Sequence, residues 1–248
     1  MSLHSRIEFS NDVVIYPLLM VVFMWIAFWA EFRLGWDARE LGIYPGRPSG
    51  LLGVVFGPFI HADLRHLFNN SVPLLVLGSA LFFFYRNLRW RVLIIGTLAT
   101  GLLTWIIGRP AMHIGASGVV YMLAAFLFFK GIFSRHFQLI ALSLVVVFLY
   151  GSLLWYVFPI DPKISWEGHL SGFLVGFSLA LVFRKVDIEY KRYDWERDDF
   201  NEEEDPFLRQ FDEEGNFIGP PPPDRGEPEK NNTVVHYTIV PDKNEEPE

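Results

Sequence analysis

The 248-residue chain is 51% hydrophobic with a mean hydropathy of +0.26, more apolar than a soluble domain of this size. It contains no cysteine, which excludes disulfides, Cys-ligated metals and a thiol nucleophile. Its net charge of −7 averages two unlike regions: 20 of the 28 acidic residues follow Arg184, leaving a mildly basic apolar part and a strongly acidic tail.

Hydropathy predicts an all-α, polytopic membrane protein with six spans. They run from about Val13 to Phe32, Leu64 to Tyr85, Trp90 to Ile107, Ser117 to Phe129, Gln138 to Phe158 and His169 to Phe183. The first apolar run lacks a small-residue cleavage site and reads as a retained helix. Residues 1–12 form a short N-terminal segment, 13–185 the membrane domain and 186–248 the tail. Basic residues set the orientation. Arg86, Arg89 and Arg91 in the second loop, Lys130 and Arg135 at the fourth, and Arg184 and Lys185 after the last span share one side, which places both termini in the cytoplasm, most simply at a cell inner membrane.

The first loop, about Gly35 to Asp63, is long, rich in Gly and Pro, and partly apolar; it reads equally as an interfacial segment or an irregular connector. The tail, with its Glu202-Glu203-Glu204-Asp205 run and four prolines at 220–223, cannot bury a core and is expected to be mostly disordered. Val234 to Val240 is the exception, with strand-forming composition suited to pairing with a cytoplasmic partner. Asn231-Asn232-Thr233 fits a glycosylation sequon that stays unmodified on the cytoplasmic side. No nucleic-acid signature is present.

Polar groups inside spans are costly and call for a function. Three groups stand out: His61 to Asn70 at the second span, Gly115-Ala116-Ser117-Gly118 at the fourth and Gly168-His169 at the sixth. Counted from the basic ends, Ser117 lies about 20 Å deep, His169 about 22 Å and Asn70 about 24 Å, similar depths on one side. A span that starts inside the bilayer leaves non-helical backbone before it, which is tolerated where it is buried or lines a wet cavity. His169, Gly172 and Gly176 share a stripe, and the Gly172/Gly176 spacing allows a close helix neighbour. If that stripe meets the face of Ser117 and Tyr121, a hydroxyl and an imidazole come together as nucleophile and base. His66, Asn70 and backbone N–H groups near Ser117 then offer donors for an oxyanion, and Tyr121 offers a ring against the imidazole.

These residues resemble the rhomboid family of intramembrane serine proteases. Gly115-Ala116-Ser117-Gly118 is similar to its GxSG motif, Gly168-His169 with Gly172 and Gly176 to its last-helix motif, and His66 with Asn70 to its HxxxN pair. His61 matches a further recurrent histidine. The resemblance implies a six-helix bundle, a Ser117–His169 dyad without an acidic third member, an oxyanion site at His66 and Asn70, and Tyr121 packed on the base. It implies single-span membrane proteins as substrates, the membrane lipid as surroundings, and no metal or organic cofactor. Two family features are absent: a Trp-Arg pair in the first loop, and a Glu late in the second span, where Phe82 stands. The rival readings are an inactive relative that binds client helices and a small transporter using His66, Asn70 and His169 as an ion path.

Overall fold

The computed structural model describes residues 9–135, 137–149, 155–162, 164–185 and 200–219, with the side chains at 146, 147 and 149 left aside. The chain divides into two units, Met1–Arg192 and Tyr193–Glu248.

In the first unit the described residues form α1 (Asp12–Leu34), α2 (Gly53–Phe56), α3 (Leu64–Phe84), α4 (Arg89–Ile107), α5 (Ser117–Phe133), α6 (Phe137–Leu149) and α7 (Trp166–Val182). No strand occurs among them. Helices are the expected outcome, because backbone groups in hydrocarbon must be satisfied within each segment. Three of them, α1, α3 and α4, are long and apolar enough to cross a membrane; α5 and α7 are shorter apolar helices of 17 residues each. Leu19, Phe23, Ile26 and Trp29 of α1 and Ile94, Leu98, Leu102 and Ile106 of α4 are exposed. Apolar helices with such outer faces belong in lipid, and the chain is an integral, polytopic membrane protein.

Local chemistry fixes the ends. Asp63 caps α3 by accepting from the His66 backbone N–H at 2.8 Å. Gly35 closes α1 in the left-handed conformation, φ 64°. Ser165 caps α7, which begins at Trp166, three residues earlier than the sequence suggests. The fifth predicted span is described only as α6 and a short 3-10 turn at Trp155–Val157.

The first loop is neither a plain connector nor a single amphipathic segment. It is a string of helical turns at Ala38–Leu41, Pro48–Leu52, α2 and Gly57–Phe59. It packs on α4 where Gly101 lies against Val54, and it pairs with the loop before α5 through the antiparallel Ile43–His113 bridge. At the opposite end, Asp12 pairs with Arg89, tying the start of α1 to the start of α4. The ammonium group of Lys130 donates to the Arg184 carbonyl at 3.1 Å. Lys130 was expected as a boundary charge, but α5 continues to Phe133 and the residue is fully buried. Its long stem packs inside while the carbonyl satisfies its charge. The core joins Leu67, Leu74, Leu77 and Leu81 of α3 to Val120, Met122, Leu123, Phe126 and Leu127 of α5, with Val92 of α4 and Ala180 of α7.

In the second unit, residues 200–219 hold local structure. Asp205 accepts from the backbone N–H of Phe207 and Leu208, starting a 3-10 turn at Leu208–Gln210. Asp212 closes the next turn, accepting from the Asn216 backbone at 2.7 Å, and these hydrogen bonds hold its carboxyl below the usual range. Phe211 packs between Phe207, tilted at 5.3 Å, and Phe217, edge-on at 5.8 Å. The prolines at 220–223, the sequon and Val234 to Val240 lie outside the described residues.

Candidate active site

Ser117 is the first residue of α5, preceded by Gly115 at φ 101°. Only glycine adopts this conformation at low cost. The position also has no room for a side chain, since a Cβ there would lie 2.6 Å from the His66 imidazole and 3.3 Å from Asn70 Nδ2. His66 and Asn70, one turn apart on α3, therefore press against the backbone that leads into Ser117. Asn70 is buried and its Nδ2 has no acceptor among the described residues. The loop is held in place by the Gly115 N–H, which donates to the Gly57 carbonyl at 2.9 Å.

His169 lies in the first turn of α7 and is buried. Its Nε2 is 2.9 Å from Ser117 Oγ, and its Nδ1 is 2.9 Å from the Tyr156 carbonyl. A carbonyl only accepts, so Nδ1 carries the proton and Nε2 presents its lone pair to the hydroxyl. The Tyr121 ring stacks on the imidazole with centroids 4.2 Å apart and an interplanar angle of 11°.

Glycine sets the approach of α5 and α7. A Cβ on Gly118 would meet the Gly168 carbonyl at 3.2 Å, one on Gly172 would collide with the Gly118 carbonyl, and one on Gly176 with the Met122 carbonyl. The two backbones are in direct contact, which brings a short Ser side chain within reach of the imidazole.

Beside Ser117 is a cavity of about 40 Å³, bordered by Thr97, Thr100, Thr104, His113, Gly115 and Ser165. Its lining is mostly apolar, with Ile43, Pro58, Ile114 and Val119 beside the polar side chains of Thr100, Thr104, His113, Ser117 and Ser165, and it has room for water next to the hydroxyl. Among the described residues no group of three His, Asp or Glu is placed to hold a metal ion.

Of the residues singled out in the sequence, Ser117 and Tyr121 meet His169, His66 and Asn70 lie against Gly115 two residues before Ser117, and Gly118, Gly172 and Gly176 form the seam between α5 and α7. Other groups border the site. The Tyr156 carbonyl is a backbone group and leaves no mark in composition. His61, the further histidine of the resemblance, is buried edge-on to His66 at 5.0 Å, and burial pushes its imidazole down to about 4. His113 is buried too: Nδ1 lies 2.5 Å from Ser165 Oγ, and burial holds the imidazole below its ordinary range. Glu167 is buried and paired with Arg109 at 3.5 Å.

The chain is similar to proteins described as uncharacterized from Mycobacterium bovis and Mycobacterium tuberculosis, each 41% identical over 151 residues. Those matches cover 57% of this chain and 62% of the relative. A protein of Mycobacterium leprae with the same description is 36% identical over 148 residues, 53% of this chain and 56% of its own length. The chain thus spans less than two thirds of these relatives. A family model described as Rhomboid domain matches residues 48–186, from the turns of the first loop through the end of α7. That stretch is more than half of the chain and contains Ser117, His169 and the whole glycine seam, so the protein belongs to the rhomboid family.

Proposed function

We propose that this chain is an intramembrane serine endopeptidase that cuts single-span membrane proteins in or near their transmembrane segments. The observation that carries the reading is the 2.9 Å contact between Ser117 Oγ and His169 Nε2, with Nδ1 held by the Tyr156 carbonyl. Nε2 takes the hydroxyl proton as Oγ attacks the scissile carbonyl carbon. The carbonyl oxygen becomes an oxyanion opposite Asn70 Nδ2 and the His66 imidazole, aided by N–H groups at the start of α5. The protonated His169 gives its proton to the leaving amine, and the acyl-Ser117 ester remains. Water from the cavity beside Ser117 then loses a proton to His169 and attacks the ester, releasing the acid and restoring the hydroxyl. Tyr121 holds the ring in plane throughout.

On this reading α1, α3, α4, α5, α6 and α7 belong to six spans, α5 begins below the outer surface, and both termini lie in the cytoplasm. The Asp12–Arg89 and Lys130–Arg184 contacts support that orientation by gathering basic ends into shared junctions.

An alkyl fluorophosphonate tests the proposal, because it forms a covalent bond only with an activated serine. Wild type should be labelled, and Ser117→Ala and His169→Ala should not. Cleavage of a reconstituted single-span substrate should fall by about 10⁴-fold or more in both. A wild type that is neither labelled nor active would show a client-binding protein or a transporter instead.

A further inference from the structure

Two separate pieces of chain bring Ser117 and His169 together: the loop at 108–116 and the first turn of α7. Where α5 meets the first turn of α7 the backbones of Gly118 and Gly168 come together, and these two glycines offer no side chains of their own to fix the rotation of a helix. Rotation matters, because turning α7 by about 20° about its axis would carry the imidazole about 2 Å.

A polar cluster next to this contact is not used by the chemistry above. Arg109 reaches from the start of the loop to three places. Its guanidinium is 3.5 Å from Glu167 Oε1 and donates to the Pro162 and Ile164 carbonyls at 2.8 Å each. Its backbone N–H donates to the same Glu167 oxygen at 3.2 Å. Further along the loop, His113 Nε2 donates to the Arg109 carbonyl at 3.1 Å, so Nδ1 accepts from the Ser165 hydroxyl. Ser165 Oγ in turn accepts the Gly168 N–H at 3.3 Å. The bonds form a consistent directional chain from loop to helix.

Glu167 is two residues before His169, or about 200° around the helix. The carboxylate is therefore held on the side of α7 away from Ser117 while the imidazole faces it. We infer that Arg109 and Glu167, backed by His113 and Ser165, are positioning residues: a clasp that fixes the rotation of α7 and so aims His169 at Ser117. The inference rests on the serine-protease reading for its kinetic consequence and on the contacts alone for its structural one. The carboxylate is buried while the Arg109 side chain is 34% exposed; an ion pair of this kind adds little to stability, but it specifies one arrangement.

The test uses the full chain in liposomes, with Glu167→Ala, Arg109→Ala, Glu167→Gln, Arg109→Lys and the Arg109→Ala/Glu167→Ala double variant. Glu167→Ala should lose about 100-fold in kcat and in fluorophosphonate labelling, the cost of an ångström-scale misplacement, with KM within about threefold. Glu167→Gln still accepts the Arg109 N–H and should recover at least about tenfold of that loss. Arg109→Ala also removes the bonds to the Pro162 and Ile164 carbonyls, so the double variant should fall at least as far as Glu167→Ala, and by less than the product of the Glu167→Ala and Arg109→Ala losses because the two changes share one contact. Unchanged kcat in folded Glu167→Ala overturns the clasp, as does a change confined to KM. If Glu167→Ala does not fold, unchanged labelling in both Glu167→Gln and Arg109→Lys overturns it.

Amide hydrogen exchange separates the two failures. In Glu167→Gln, exchange at 108–116 and in the first turn of α7 should rise together, whether or not the protein is a protease. Unlabelled wild type with this paired rise sinks the protease reading and leaves the clasp standing; labelled wild type without it sinks the clasp.

Discussion

Three of the 23 residues of α1 are buried, against eleven of 17 in α5, although both helices are built from similar apolar residues. In water such residues would all seek the interior. In lipid they gain little from the exchange, and the interior goes to whichever helices can approach most closely. Helix α1 has no glycine and meets α3 through Pro17, whose ring lies where a Cβ on Gly78 would be 3.1 Å away. Helices α5 and α7 share Gly118, Gly172 and Gly176, and their backbones touch. Small residues decide what is inside this protein, and the polar residues follow them there.

The sharpest way to break the contrast is Gly172→Val. Its methyl groups would drive into the Gly118 carbonyl, so cleavage should be lost and Tm lowered, overpacking of this kind costing about 1–3 kcal/mol or more. Leu174→Val, on the exposed side of the same helix, is the control and should leave both unchanged. Retained activity in Gly172→Val would mean that the seam is looser than the contacts imply. Next in size is Asn70→Ala, which removes one donor near Gly115. It should lower kcat by about 10²–10³-fold with KM nearly constant; a rise in KM alone would assign Asn70 to substrate binding.

Burial beside the seam also leaves a pH signature. The unfolded chain protonates His61 near its ordinary value of 6.5, while the folded protein resists until about 4. This contribution to stability is complete above the ordinary value and is lost as pH falls from there to about 4, by up to about 3 kcal/mol. Denaturation followed between pH 7 and 4 should show that slope, and His61→Gln should flatten it. The smallest effect belongs to the rim. Ile26→Ala on the exposed face of α1 should change stability by no more than about 0.5 kcal/mol and leave turnover alone. A large loss there would place a partner helix against α1.

Much of this was legible in the sequence because the chemistry is carried by residue type. A serine between glycines, a histidine above a glycine stripe and an i, i+4 His/Asn pair are conspicuous in apolar surroundings, and the structure brings these residues together. Hydropathy placed the start of α5 at Ser117 and the end of α4 at Ile107. It fails where a charge finds a tertiary acceptor. Lys130 reads as a boundary charge and Glu167 gives no signal, because nothing local shows that the Arg184 carbonyl or Arg109 is waiting for them. The turns of the first loop escape for a related reason: Gly50 and Gly53 lie against the backbone of Tyr44 and Gly42, contacts that exist only once the loop has folded on itself.

The group facing His169 Nδ1 is a peptide oxygen, and no ordinary side-chain replacement at position 156 deletes it. Alanine scanning passes over it in silence. What can withdraw it is displacement of the main chain around Trp155–Val157, so the proton's place on the ring, and with it the readiness of Ser117, answers to where that short turn lies at any moment.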